Sequence, residues 1–397
     1  MNPLETPYAY DFWVGCNVLS AALGRDIIVN RPMAPVYLNL FTILVAESGI
    51  TRKSTAVRHG LDFIRKLEKE DLALIEGKTT PERLEEILYE QTRDYKSSNV
   101  SICISELVTF LGREKYVSTM PTLLTDLYDS PKIRRLGGSL KTGSREAHNV
   151  FVQFLSASTP SWLVRAVNPD VIEGGFTSRV MFICAENPKK RQSWPEAPNK
   201  ELEQQILIQL NNIKTKAKEV EKIELNLNAR KVFDRWYKSR TLHKDPFRAS
   251  FQSREDAHTL RLAAFLAIND GTWVIHSNHI TQAIKIINEV REDGAQIFEG
   301  TGTNSRLIAG IDKIRDKLLE AGINGLPQTN LTKAVSSYMD AEHLVTALNI
   351  MHELQFVQKF DAIQVGRGRP KTVWRATSSL ASSRAIDMII QKHNPDR

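Results

Sequence analysis

The stretch LNLFTILVAESGITRKST, residues 38–55, decides the fold. Its first part, Leu38 to Ala46, is a largely apolar run, the pattern of a strand buried on both faces of a parallel sheet. A polar turn follows. After it comes TAVRHGLDFIRKLEKE, in which Val57, Leu61, Ile64 and Leu67 recur at helical spacing. Strand, polar turn and helix make the frame of a phosphate loop. Such a loop wraps backbone N–H groups around a phosphate at a helix N-terminus, adds a lysine for the β/γ-phosphates, and adds a hydroxyl for Mg²⁺. Lys53 and Ser54 supply the last two, with Ser48, Gly49, Thr51, Arg52 and Thr55 completing the candidate nucleotide-binding set. The usual glycines are mostly absent. With Lys53 fixed, they belong where Glu47 and Arg52 stand; aligned on Glu47-Ser48-Gly49, the loop is one residue longer than usual. An ordinary strand–helix turn accounts for this stretch alone equally well, so the case rests on what surrounds it.

Outward along the chain, Leu72–Glu76 reads as a short strand. Thr80-Pro81 opens a helix through Leu84, Ile87 and Leu88, with Thr80 as cap and Pro81 at the first position. Three further apolar strands follow: VSICIS (100–105), FVQFLSAS (151–158) and RVMFICAE (179–186). Strands alternating with helices imply a parallel α/β sheet. Each strand carries chemistry at its edge. Glu106 directly follows VSICIS, where a carboxylate could polarise an attacking water; the residue before it, the usual Mg²⁺-holding Asp, is Ser105. Ser158-Thr159-Pro160 ends the next strand and offers a hydroxyl to sense a γ-phosphate. Arg179 stands just before the last strand, where an arginine can stabilise transition-state charge. A helix cap or a turn residue is the bland alternative for each.

The order of these motifs resembles the helicase-like AAA+ proteins of phages and plasmids, often linked to primases, and more distantly the minichromosome-maintenance helicases. The matching stretches are VAESGITRKST, SELVTFLG, LLTDLYDSP, SASTPSWL, GGFTSR and SREDAHTLRLAAFLA (253–267) followed by HITQAIKII, so the resemblance covers roughly residues 38–300. It implies an α/β fold: an AAA+ P-loop parallel sheet with helices, a helical lid and a C-terminal winged helix. It implies ATP and Mg²⁺ as cofactors, with Ser54 on the metal. It makes Glu106 the catalytic base, Thr159 the first sensor and Arg179 a finger reaching into a neighbour's site. Arg261, or failing it Arg254, becomes the lid's sensor arginine. Sites shared between subunits imply a homo-hexameric ring, with a separate primase or initiator as a further partner.

The domains expected are a helical lead-in (1–36), the ATPase core (37–195), a helical lid (196–300), a winged helix (301–378) and a tail (379–397). A net charge of +7 and a pI of about 9.2 suit a polyanionic partner. Two basic segments are the candidate contacts to single-stranded or forked DNA. SPKIRRLGGSLKTGSR (130–145) reads as a hairpin with Arg134, Arg135 and Lys141; GRGRPK (366–371) reads as a wing with Arg367, Arg369 and Lys371. A solvated basic loop and a protein–protein module are the competing readings. Cys16, Cys103 and Cys184 are odd in number and far apart, as free thiols in a reducing compartment would be. No stretch is long and apolar enough to span a membrane and no signal peptide is evident, so a cytoplasmic setting in a bacterial host or its equivalent is expected. The functional expectation is an ATP-dependent DNA helicase or translocase of mobile-element replication. The alternatives are an ATP-controlled initiator or loader, and a DNA-binding regulator with weak or no hydrolysis.

Overall fold

A computed structural model describes residues 6–47, 49, 51–67, 69–111, 119–137, 145–166, 175–185, 194, 197, 199–298, 303–336, 339, 341–362 and 371–381. The chain forms two compact units, Met1–Phe298 and Glu299–Arg397. In the first, α1 (Tyr8–Leu23) is followed by β1 (Ile28–Val29), β2 (Val36–Tyr37), β3 (Phe41–Val45), α2 (Lys53–Arg65), β4 (Leu72–Ile75), α3 (Pro81–Tyr95) and β5 (Ser98–Ile104). Then come α4 (Leu107–Leu111), α5 (Thr119–Tyr128), β6 (Ile133–Leu136), β7 (Arg145–His148), β8 (Val150–Ser158), α6 (Pro160–Ala166) and β9 (Val180–Cys184). The unit closes with α7 (Lys200–Val220), β10 (Lys222–Leu225), α8 (Leu227–Ser239), α9 (Pro246–Gln252), α10 (Glu255–Asn269), β11 (Val274–Ile275) and α11 (Ser277–Phe298).

Five strands build an all-parallel sheet in the order β4-β5-β8-β3-β9. β3, β5 and β8 are buried at every residue, because helices cover both faces. The register aligns Val45 with Ser158 and with Cys184, and Ile104 with Ser156. All five strands therefore end on one edge of the sheet, the edge where α/β proteins bind ligands. Thr80 caps α3 as the sequence predicts, its hydroxyl accepting from Arg83 N at 3.3 Å. The helices from α7 onward pack beside this sheet, with α10 and α11 packed on each other and α11 against β9.

The N-terminal segment is helical, as the sequence predicts. α1 lies in the core, with Tyr10, Ala21, Ala22 and Leu23 fully buried. Three of its polar side chains bond along β3 and its approach. Ser20 Oγ donates to Leu38 O, Asn17 Nδ2 to Thr42 Oγ1, and the Tyr10 hydroxyl to Val45 O, each at 2.8 Å. Spaced seven and three residues apart, they share one helix face and fix α1 antiparallel to β3. Gly60 of α2 lets the two helices meet, since a Cβ there would sit 2.6 Å from Val14 Cγ1. A second small sheet, β11-β10-β1-β2, ties residues 28–37 to the lid: β1 pairs with β10, from Ile28 opposite Lys222.

The second unit contains α12 (Thr303–Ala321), β12 (Leu326–Pro327), α13 (Gln328–Val335), α14 (Ala341–Glu353), β13 (Val357–Ala362) and β14 (Lys371–Ala376). Three helices close on the antiparallel sheet β12-β14-β13 around Leu318, Leu331, Leu348 and the buried Trp374, a winged-helix arrangement.

Candidate functional site

The carboxyl edge of the main sheet collects the phosphate-loop lysine and the candidate base. Glu106 follows β5 by two residues, which by register brings it level with Ser158 and Val45. Lys53, at the start of α2, lies close enough to Glu106 and Glu47 for both carboxylates to favour its charged form, although burial as the larger effect lowers its pKa. Its ammonium donates to Glu47 O at 3.4 Å. Ser54 and Thr55 are half-buried in the first turn of α2, and the N-cap residue Arg52 makes no side-chain capping hydrogen bond there. Ser105 lines a cavity of about 270 Å³ with Arg58, Asp62, Arg65 and Glu76. Thr159 caps α6, its hydroxyl accepting from Trp162 N at 3.3 Å.

Two described residues of the loop have positive φ. Gly49 has φ 80°, and Arg52, in a place where glycine is usual, is left-handed at φ 50°, ψ 32°. For a residue with a Cβ this conformation costs on the order of 1–2 kcal/mol. What holds the segment is α1. The Tyr10 hydroxyl, donating to Val45 O at the loop's start, lies 3.4 Å from the hydroxyl of Thr51 at its end. Thr51 is therefore turned inward, and its side chain supports the loop from below. Desolvation pushes the Tyr10 phenol up to about 12, so it remains a donor at working pH. Sequence reading missed Tyr10; its only signal is polar residues at 10, 17 and 20 on one face of an otherwise apolar helix. Ser48 lies outside the described residues.

The opposite, amino edge gathers the arginines. Arg179, just before β9, is buried; it donates to Gly175 O and to Asp129 Oδ2, both at 3.0 Å, while its Nε has no partner among the described residues. Arg254 reaches the same carboxylate at 3.2 Å and is the more exposed of the two. Arg261 is engaged inside the fold, donating to Tyr37 O (2.8 Å), the Tyr128 hydroxyl (2.5 Å) and Asn39 Oδ1 (3.4 Å). His258 lies beneath, between Tyr128 and Ser178 O; burial first, then Arg261, depresses it to about 3. A cavity of about 420 Å³ opens here, lined by Arg31, Asp129, Arg254 and Arg261 among others. The five residues of β3 separate the two edges by roughly 13 Å, so Arg179 and Lys53 of one chain do not meet.

No protein-family model matches the chain, and no curated protein does. Solved structures do. The chain is similar to the Aeropyrum pernix Orc1 protein in complex with DNA: 13% identity, 98% of this chain and 93% of that one, TM-score 0.23. It is also similar to the Aeropyrum pernix Orc2 protein. For the ADPNP–ADP complexes the values are 13% identity, 89% and 88% coverage and TM-score 0.23; for the ADP form they are 14%, 89% and 89%, and 0.24.

Of the candidate DNA contacts, Arg134 and Arg135 sit on β6, which pairs with β7 as an antiparallel hairpin. Arg134 is spent on Asp126 (3.0 Å) and Glu85 (3.6 Å), whereas Arg135 is 87% exposed. Lys132 is also exposed, and Arg145 stacks on Tyr89. Lys141, Arg367 and Arg369 lie outside the described residues. Lys371 pairs with Ala362 where β14 leaves the wing.

Proposed function

We propose that this chain is an ATP-controlled, DNA-acting AAA+ ATPase of the replication-initiator or loader kind. Its nucleotide would bind on the carboxyl edge of one copy and be completed by arginines on the amino edge of the next. The observation that carries this reading is that Lys53 and Glu106 stand on the carboxyl edge of the sheet while Arg179 and Arg254 meet at Asp129 on the other. The N-terminus of α2 and the Lys53 ammonium suit a polyphosphate. Ser54 would hold Mg²⁺, which would supply positive charge to offset that of the phosphates. Glu106, exposed at its strand end, would take the proton of the attacking water. The cavity of about 320 Å³ lined by Tyr8, Phe12, Trp13 and Ile183 at the same edge suits a purine base. Arg254 is the better placed lid arginine, since Arg261 is committed internally. Residues 37–195 would be the catalytic core, 196–300 the lid, 301–378 the DNA-positioning module and 379–397 a tail.

A second reading, a translocating helicase in a hexameric ring, is favoured by the exposed Lys132 and Arg135 on the β6–β7 hairpin. ATP hydrolysis with and without single-stranded DNA, for wild type and Lys53→Ala, tests the shared core of both. Turnover absent from the wild type, or kept by the variant, refutes it. Strand separation on a forked duplex selects the helicase; nucleotide-dependent DNA binding without separation selects the initiator.

A further inference from the structure

The lid carries a basic and aromatic surface that neither the hairpin nor the wing accounts for. Residues 226–244 hold six Lys/Arg against one Asp, in a chain whose whole excess is seven. On α8, Ala229, Val232 and Phe233 face the core. Lys231, Arg235 and Lys238 recur at i, i+4 and i+7 and so form one outward stripe. Lys231 and Arg235 have no acidic partner among the described residues, and Lys238 is shared with Asp234 across one helical turn. Beside the stripe stands an aromatic group. Phe233 packs against Trp236 and Tyr237, with ring centroids 5.5 and 6.3 Å apart, and Tyr237 remains 43% exposed. Arg240 lies 4.1 Å from the Tyr237 ring and 5.0 Å from Trp236, held from behind by Glu255 and Gln252 O. That stack fixes the aromatic rings at the helix end and leaves Lys231 and Arg235 without an acidic partner among the described residues.

We infer that α8 and the turn after it form a platform for single-stranded nucleic acid. Lys231, Arg235 and Lys238 track successive phosphates, and Tyr237 offers a face to a base. Cations in a row bind any polyanion; the exposed ring adjoining them selects strands whose bases are unstacked, which a duplex does not present. The inference rests on the reading of the chain as DNA-acting, and the site is separate from the nucleotide machinery.

The test is fluorescence anisotropy of the full-length protein with labelled oligo-dT and with a duplex of equal length, across a salt series. Lys231→Ala/Arg235→Ala is expected to weaken single-strand binding roughly tenfold and to flatten the log–log salt slope by about 1.4, or 0.7 per phosphate contact. Tyr237→Ala is expected to weaken it roughly 5- to 100-fold with the slope unchanged, while Tyr237→Phe restores it and duplex affinity stays constant. Basal ATPase and thermal midpoint report that the variants fold. Wild-type single-strand binding that both variants retain overturns the platform but leaves the ATPase reading intact. Tyr237→Ala acting equally on duplex overturns the single-strand assignment. A wild type that binds no nucleic acid overturns both, and Lys53→Ala then reports separately on the ATPase.

Discussion

Tyr10→Phe isolates the contact that holds the phosphate loop. The substitution removes one oxygen from a fully buried ring and keeps the rest of the side chain. It deprives Val45 O of a donor at 2.8 Å and the Thr51 hydroxyl of a neighbour at 3.4 Å. Because Tyr10 donates to Val45, Thr51 donates to Tyr10, and both loop ends lose a partner at once. Leaving buried groups unsatisfied costs about 1–3 kcal/mol. For a unit of nearly 300 residues this is roughly 2–5 °C in thermal midpoint. The more telling readout is nucleotide affinity. If half of that cost falls on ordering the loop around a phosphate, about 1.4 kcal/mol at most, ATP binding weakens by up to tenfold. A fluorescent ATP analogue titrated against wild type, Tyr10→Phe, Thr51→Val and the double variant measures it. The two single effects should be less than additive, since each removes the same bond. A midpoint that falls while ATP affinity is unchanged would refute the argument, for Tyr10 would then be an ordinary core residue. Full additivity would refute the shared bond.

Two further outcomes follow from the geometry. Arg52→Gly should be more stable than Arg52→Ala by roughly 1 kcal/mol in denaturant unfolding, because position 52 is left-handed; at an ordinary helical position the order would be reversed. For His258, burial lowers the pKa from 6.5 to about 3 among Arg261, Arg254 and Arg179, so the unfolded chain takes up its proton first as pH falls. The stability from keeping it neutral is present above pH 6.5 and is lost toward pH 3, at about 1.4 kcal/mol per pH unit. Unfolding free energies at pH 7, 6 and 5 should show this slope, and His258→Gln should flatten it; an unchanged slope in that variant would move the effect to other groups.

Much of the fold is legible because its signals are local. A run such as 38–46 or 151–158 can be satisfied only by a doubly covered strand, and Thr80-Pro81 announces its helix by cap and fixed φ. Glu106 and Arg179 are legible for the same reason, as polar residues at strand edges. What is hidden is non-local. β1 and β10 are too short to show any periodicity, and they pair across some 190 residues of chain, Ile28 with Lys222. Asp129, which joins Arg179 to Arg254, reads in sequence as a turn residue before Ser130-Pro131. The fate of Arg261 is equally invisible: an arginine within LRLAAFLA reads as a helical sensor, and only the fold shows its guanidinium filled by Tyr37, Asn39 and Tyr128.

The phosphate loop brings these two kinds of information together. A glycine-rich motif is a sequence shortcut for a backbone requirement, namely positive φ beside the lysine and close approach to an anion. Arg52 meets the first requirement at φ 50° despite its Cβ, at a cost that must be offset elsewhere. Among the described residues α1 is placed to do so, anchored to β3 by Asn17 and Ser20 and presenting Tyr10 to both ends of the loop. If the loop binds nucleotide as proposed, its competence resides partly in a helix that ends 30 residues before Lys53. On this argument, restoring glycine at position 52 should make nucleotide binding less dependent on Tyr10. Combining Arg52→Gly with Tyr10→Phe should then recover part of the ATP affinity that Tyr10→Phe alone loses, whereas a loop held by other contacts would show no recovery.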